Sequence, residues 1–174
     1  GLWTFDRAVN LPTNCKIHGY GAIIKRTGDN PIGDKYPVFV IGGNDVSISG
    51  LKLLDVPGGA VLFANPTSSG LVVADCTFTR CNLGFYHVGC LIRDCTFESA
   101  GAVIAPAGLW LQCNFIGPSM GDPWQAWYGD PAQGWHWQMI DCHFVRTSRG
   151  PVFNVLGPQF SIDDPFFSGV ERHG

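Results

Sequence analysis

Charge is what this sequence has least of. Of its 174 residues only 14% are Asp, Glu, Lys or Arg, against roughly 25% in an ordinary domain. A basic excess is missing as well, since 11 Lys and Arg face 14 Asp and Glu, for a formal net charge of −3. Nucleic-acid binders and polybasic membrane binders draw their affinity from such an excess, so neither partner is expected. Long apolar runs are also absent. The stretch from Ala100 to Leu111 is broken by glycines and by Pro106, well short of the ~20 residues a spanning helix needs, and no membrane insertion is expected. No signal peptide or transit segment is visible and the chain opens on Gly1. That opening reads as processing, or as a piece cut from a longer protein.

Motifs that carry chemistry are equally scarce. There is no glycine-rich phosphate loop, no nucleophile elbow and no His-rich metal motif. No Cys-x-x-Cys pair occurs among the seven cysteines, so a zinc ribbon is excluded and no metal or cofactor is expected. The odd cysteine count argues against a closed disulfide framework. Asn65-Pro66-Thr67, the single Asn-x-Ser/Thr triplet, is disqualified as a glycosylation site by its proline. No capped segment with a 3.6-residue period runs beyond two turns, which excludes a helical domain.

What is present in quantity is glycine, 23 residues, about twice the usual ~7%, and a repeat. Asp-Cys-Thr-Phe at 75–78 recurs at 94–97, then as Gln-Cys-Asn-Phe at 112–115 and Asp-Cys-His-Phe at 141–144. Sliding the frame x-Asp-Cys-x-Phe along the chain adds Ser49 to Leu53 and Asp163 to Phe167. Its third position falls at residues 51, 76, 95, 113, 142 and 165. An alternating apolar stretch such as Val46-Ser47-Ile48 or Leu71-Val72-Val73 precedes the frame and reads as a strand. The second position holds Gly50, Asp75, Asp94, Asp141 or Asp164, with Gln112 the exception. Glycine and aspartate tolerate a left-handed backbone, so each marks a sharp bend and not an acid in search of a substrate. After the bend Cys and Phe point inward, while Lys52, Thr77, Thr96, Asn114 and His143 form an outward ladder. A further strand is expected in each unit: Ala60 to Ala64, Leu83 to Val88, Ala102 to Ala105 and Val152 to Leu156.

Such short units bury an apolar face only by stacking on one another. An antiparallel sandwich also has many short strands, but it gives no reason for Asp-Cys-x-Phe to recur at one place in each unit. The cysteines then form an apolar column of reduced thiols, a chain folded in a reducing cytosol such as the bacterial one.

The run Gly70-Leu-Val-Val-Ala-Asp-Cys-Thr-Phe-Thr-Arg-Cys-Asn82 and its neighbour resemble the coil repeat of the right-handed parallel β-helix, or pectin-lyase-like, superfamily. The opening stretch from Trp3 to Lys25 resembles the first coil of such proteins, phage tailspikes among them. The resemblance implies an all-β fold, a single-stranded right-handed parallel β-helix (solenoid) of about six to seven coils, with residues 1–174 as one domain. The amphipathic helix that caps the family's first coil is missing here, so a fragment, or one protomer of a larger assembly, is expected. The resemblance also implies a virion or extracellular surface as destination, with a homo-oligomer (a trimer) as one partnership and polysaccharide as the other. Exposed Leu54, Leu111 and Ile140 would supply the contacts between copies. The superfamily hosts lyases, hydrolases and purely structural coils, so activity has to be argued from a site.

Extra residues in a solenoid map to loops, often on the binding side. One oversized loop runs from Arg26 to Tyr36. The other, from Gly117 to Gly134, places Trp124, Trp127 and Tyr128 beside Asp122 and Asp130, with Trp135 just after. Flat rings beside carboxylates suit sugars, whose C–H faces stack on the ring while acids accept hydroxyl hydrogen bonds. Equally, such a loop would pack its own rings over the coil or into an interface. Trp124, Trp127, Tyr128, Trp135, His143 and Arg146 are the candidate substrate-binding residues. Trp137 reads as core and His87 as structural. Catalysis, hydrolytic or lyase, would need paired carboxylates, and the candidates are Glu98 with Asp122 or Asp130. The polygalacturonase-type motifs and the Arg-x-Pro-x-x-Arg run of pectate lyases are absent.

Overall fold

The computed structural model describes residues 1–5, 7–26, 38–64, 68–85, 90–98, 103–104, 108–116, 137–145, 160–163 and 166–168. Side-chain surroundings are described for most of these up to residue 143. Among the described residues there are sixteen strands and no helix, and every strand pairing among them is parallel. The chain is therefore all-β, its strands joined in one large parallel sheet, an arrangement compatible with a β-helix.

The pairings sort the strands into ranks. The first rank holds the start of β3 (Lys16–Arg26), the start of β5 (Ser47–Ala64), β6 (Val72–Ala74), β8 (Cys90–Arg93), β11 (Gly108–Leu111), β13 (Trp137–Ile140) and β15 (Phe160–Asp163). The second holds β1 (Leu2–Phe5), later parts of β3 and β5, β7 (Thr77–Phe85), β9 (Thr96–Glu98), β12 (Asn114–Ile116), β14 (His143–Val145) and β16 (Phe166–Ser168). The third joins β2 (Val9–Leu11), β4 (Phe39–Ile41), the ends of β5 and β7, and β10 (Val103–Ile104).

Register puts like on like. Thr77 aligns with Thr96, Phe78 with Phe97, and Asn114 with both Thr96 and His143. Inward positions are buried: Ile48, Val73, Ile92, Trp110 and Met139 in the first rank, Leu53, Phe78, Phe97 and Phe115 in the second. Phe97 lies between two phenylalanine rings, with centroids 5.1 Å from Phe78 and 4.9 Å from Phe115, and is stacked nearly parallel to both.

Between the two ranks the chain bends at one residue. Gly50, Asp75, Asp94, Gln112 and Asp141 all have positive φ, from 52° to 67°. Gln112, the odd member by chemistry, adopts the same bend, because the rungs above and below fix the path of its backbone. A second bending column, Asn14, Asp45 and Gly70, precedes the first rank. It was not anticipated, since its three residue types differ at each level. The expectation of separate strands after each frame holds for Ala102 to Ala105, where Val103–Ile104 is a strand of its own, and needs correction at two earlier units. Ser47–Ala64 is one strand of 18 residues, with irregular pairing between Val56 and Ala60 and again before Phe63. Likewise the Leu83 segment belongs to Thr77–Phe85. Val152 to Leu156 and Asp164 lie outside the described residues, as does all but Arg26 of the loop expected from Arg26 to Tyr36.

The cysteines explain themselves in this frame. Cys76, Cys95, Cys113 and Cys142 are all at most 1% exposed. Thr96 N–H donates to the Cys76 carbonyl, Asn114 N–H to that of Cys95 and His143 N–H to that of Cys113, at 2.8–2.9 Å. The four therefore stand in single file. Each thiol lies 3.2–3.5 Å from the carbonyl two residues earlier, across the bend, and 3.7–3.9 Å from a carbonyl of the preceding unit. A small apolar side chain with one weak donor meets both demands, which valine or alanine would not. None of the seven cysteines is in a disulfide. A thiol neighbour and then burial push Cys95 and Cys113 up, while burial alone pushes Cys90 up to about 12.

Candidate functional site: the outward face of the second rank

Side chains alternate across a strand, so the residues between the buried ones face out. In the second rank they form two columns. Lys52, Thr77, Thr96, Asn114 and His143 align in the first, Leu54, Thr79, Glu98 and Ile116 in the second. Rungs of a parallel sheet lie about 4.8 Å apart. The face thus repeats an ammonium, hydroxyls, a carboxamide and an imidazole at a spacing near the length of one sugar ring. Lys52 and His143 are exposed, and Thr77, Thr96 and Asn114 are half-buried.

Glu98 ends β9 on this face, exposed, and accepts a hydrogen bond from the Thr79 hydroxyl at 3.2 Å. Between Glu98 and His143 the stack advances two rungs, about 10 Å. The structure thus brings these two candidates onto one face. Asp122, Trp124, Trp127, Tyr128, Asp130, Trp135 and Arg146 lie outside the described residues, as does His87. Trp137 stands in the first rank, aligned with Gly108 and Phe160.

The first rank's outward face is mixed. Ser47, Val72, Leu91, Leu109 and Gln138 align in one column, Ser49, Ala74, Arg93, Leu111 and Ile140 in the other. Leu54, Leu111 and Ile140, expected to be exposed, are half-buried, because neighbouring rungs cover much of each side chain. Leu54 also lies on the other rank, so the three do not form one patch.

A second constellation, missed in the sequence, sits on β3. His18 Nδ1 lies 2.7 Å from the Ser49 hydroxyl on the next strand. The ring of Tyr20, 95% exposed, lies 6.5 Å from the imidazole. The flanking glycines of Gly19-Tyr20-Gly21 were the available signal. No protein-family model, no curated protein and no solved structure matches this chain.

Proposed function

We propose that the chain is a right-handed parallel β-helix, pectin-lyase-like, and that it serves as the polysaccharide-binding segment of a tailspike-like or cell-surface protein. The observation that supports this reading most is the outward ladder from Lys52 to His143. It offers hydrogen-bonding groups at the pitch of a sugar chain, without the basic excess a nucleic acid would call for. The tryptophan-rich stretch from residue 117 to 134 adds stacking surfaces by composition. Replacing Trp124 and Trp127 together with alanine is expected to weaken retention of a bacterial surface polysaccharide, and unchanged retention removes the reading. Depolymerisation is its catalytic extension: Glu98→Gln should abolish any loss of polymer viscosity while leaving binding within twofold.

A second reading, a structural subunit of a virion or appendage in a homotrimer, draws on the half-buried Val72, Leu91, Leu109, Leu111 and Ile140, which stand among the polar residues of the first-rank face. Light scattering showing a stable monomer at micromolar concentration removes it.

A further inference from the structure

The strand pairing is broken at one point of β3. His18 pairs with Ser49 and Ala22 with Leu51, so three residues, Gly19, Tyr20 and Gly21, oppose the single Gly50. Bulges next to functional sites serve to re-aim a side chain. Here the re-aimed side chain is Tyr20, which has φ +44° and is 95% exposed. A left-handed conformation is unfavourable for a bulky residue. An aromatic ring lifted wholly into water also gains no burial to offset that strain. Nor is the bulge easily ironed out. A side chain at Gly19 would run into Leu51 and the Gly50 carbonyl, so the backbone there lies directly against the next strand.

Strain held where it stabilises nothing points to function. Beside the ring stands His18, exposed, its orientation fixed by the short hydrogen bond to Ser49. The two rings are tilted by 38°, so they form an open corner and not a closed stack. A flat π face bordered by an imidazole and a hydroxyl is the chemistry that takes a pyranose: C–H groups on the ring face, hydroxyls on the polar edge.

We infer that Tyr20, His18 and Ser49 form a carbohydrate subsite, set on the first unit and separate in sequence from the tryptophan-rich stretch. The inference rests on the polysaccharide reading above and adds a place of contact to it. The test uses an array of purified bacterial capsular and O-chain polysaccharides, probed with the full chain, Tyr20→Gly, Tyr20→Phe and the Trp124/Trp127 double alanine variant. Tyr20→Gly removes the ring and relieves the left-handed strain together. It should therefore raise the unfolding midpoint by about 2–4 °C while lowering affinity roughly three- to tenfold. Tyr20→Phe keeps the ring and should bind within twofold of the parent. Affinity of Tyr20→Gly within twofold of the parent overturns the subsite, whatever the tryptophan variant does. A fall in the midpoint overturns it too, since the ring would then be a packing element. No binding by the parent chain to any polysaccharide of the array overturns the subsite and the polysaccharide reading together. Loss in the tryptophan variant alone overturns the subsite and leaves the reading standing.

Discussion

The bend between the first and second ranks is made in two ways. At Gly50, Asp75, Asp94, Gln112 and Asp141 a single left-handed residue turns the chain and pairing resumes at once. In the first unit the same bend takes Gly19, Tyr20 and Gly21. The difference follows from neighbours. A middle unit has a paired strand on either side, so any extra residue would break two ladders. Among the described residues, Lys16 to His18 pair only with Ser47 to Ser49, and one side of that rung is left without such a constraint. Regularity is therefore enforced by the stack, and departure from it is possible where a rung has a described neighbour on one side only.

The contrast should be largest in the core. Phe97 and Ile24 occupy equivalent inward positions, linked through Leu53 and Phe78. Phe97 is clasped between two rings, whereas Ile24 has Trp3 as its neighbour on the other side, and Trp3 is 62% exposed. Phe97→Ala is expected to cost about 3–5 kcal/mol and Ile24→Ala about 2 kcal/mol, read from chemical denaturation midpoints. Equal losses would mean that the first unit is packed as firmly as the middle ones.

The thiols give the next largest effect. Burial pushes Cys90 from its ordinary 9.0 up to about 12. Its neutral form is favoured in the folded chain, so this contribution is complete below pH 9 and is lost as pH rises from 9 toward 12. The loss is on the order of 4 kcal/mol at the upper end. Cys90→Ala should flatten the alkaline limb of the stability profile, and an unchanged limb refutes the assignment. In the native state at pH 8, a thiol reagent should modify Cys15, which is half-buried, well before the six fully buried cysteines. Fast reaction at Cys95 or Cys113 would show that the middle units open as readily as the first.

What the sequence disclosed and what it hid divide along the same line. Asp-Cys-x-Phe was legible because the interior imposes one chemistry on each level: a residue that bends, a small thiol that reaches two carbonyls, a ring that stacks on rings. Register, buried columns and the outward ladder all followed from it. The Asn14–Asp45–Gly70 bend was hidden because three residue types meet one backbone demand there. Tyr20 was hidden for a different reason. Nothing in a strand with alternating apolar residues tells an outward aromatic on a bulge from an inward one. Of the candidate site, Glu98 and His143 could be placed from the repeat alone, since both sit at fixed offsets from Cys95 and Cys142. The tryptophans rest on composition, and no repeat fixes their offsets.

The smallest effect separates strain that the stack imposes from strain that function selects. Gln112 and Tyr20 both hold positive φ, at 52° and 44°, and both are exposed. Glycine at either place relieves about 1 kcal/mol of left-handed strain, so Gln112→Gly should raise the unfolding midpoint about as much as Tyr20→Gly does. The two variants part in binding. Gln112 bends a tight corner that the flanking rungs would enforce on any residue, and its loss should leave polysaccharide affinity within twofold. If Gln112→Gly also weakened binding, the change would have to travel through the stacked rungs to the sugar. The bulge of the first unit would then be one expression of a general softness, and the distinction between enforced and selected strain would fail.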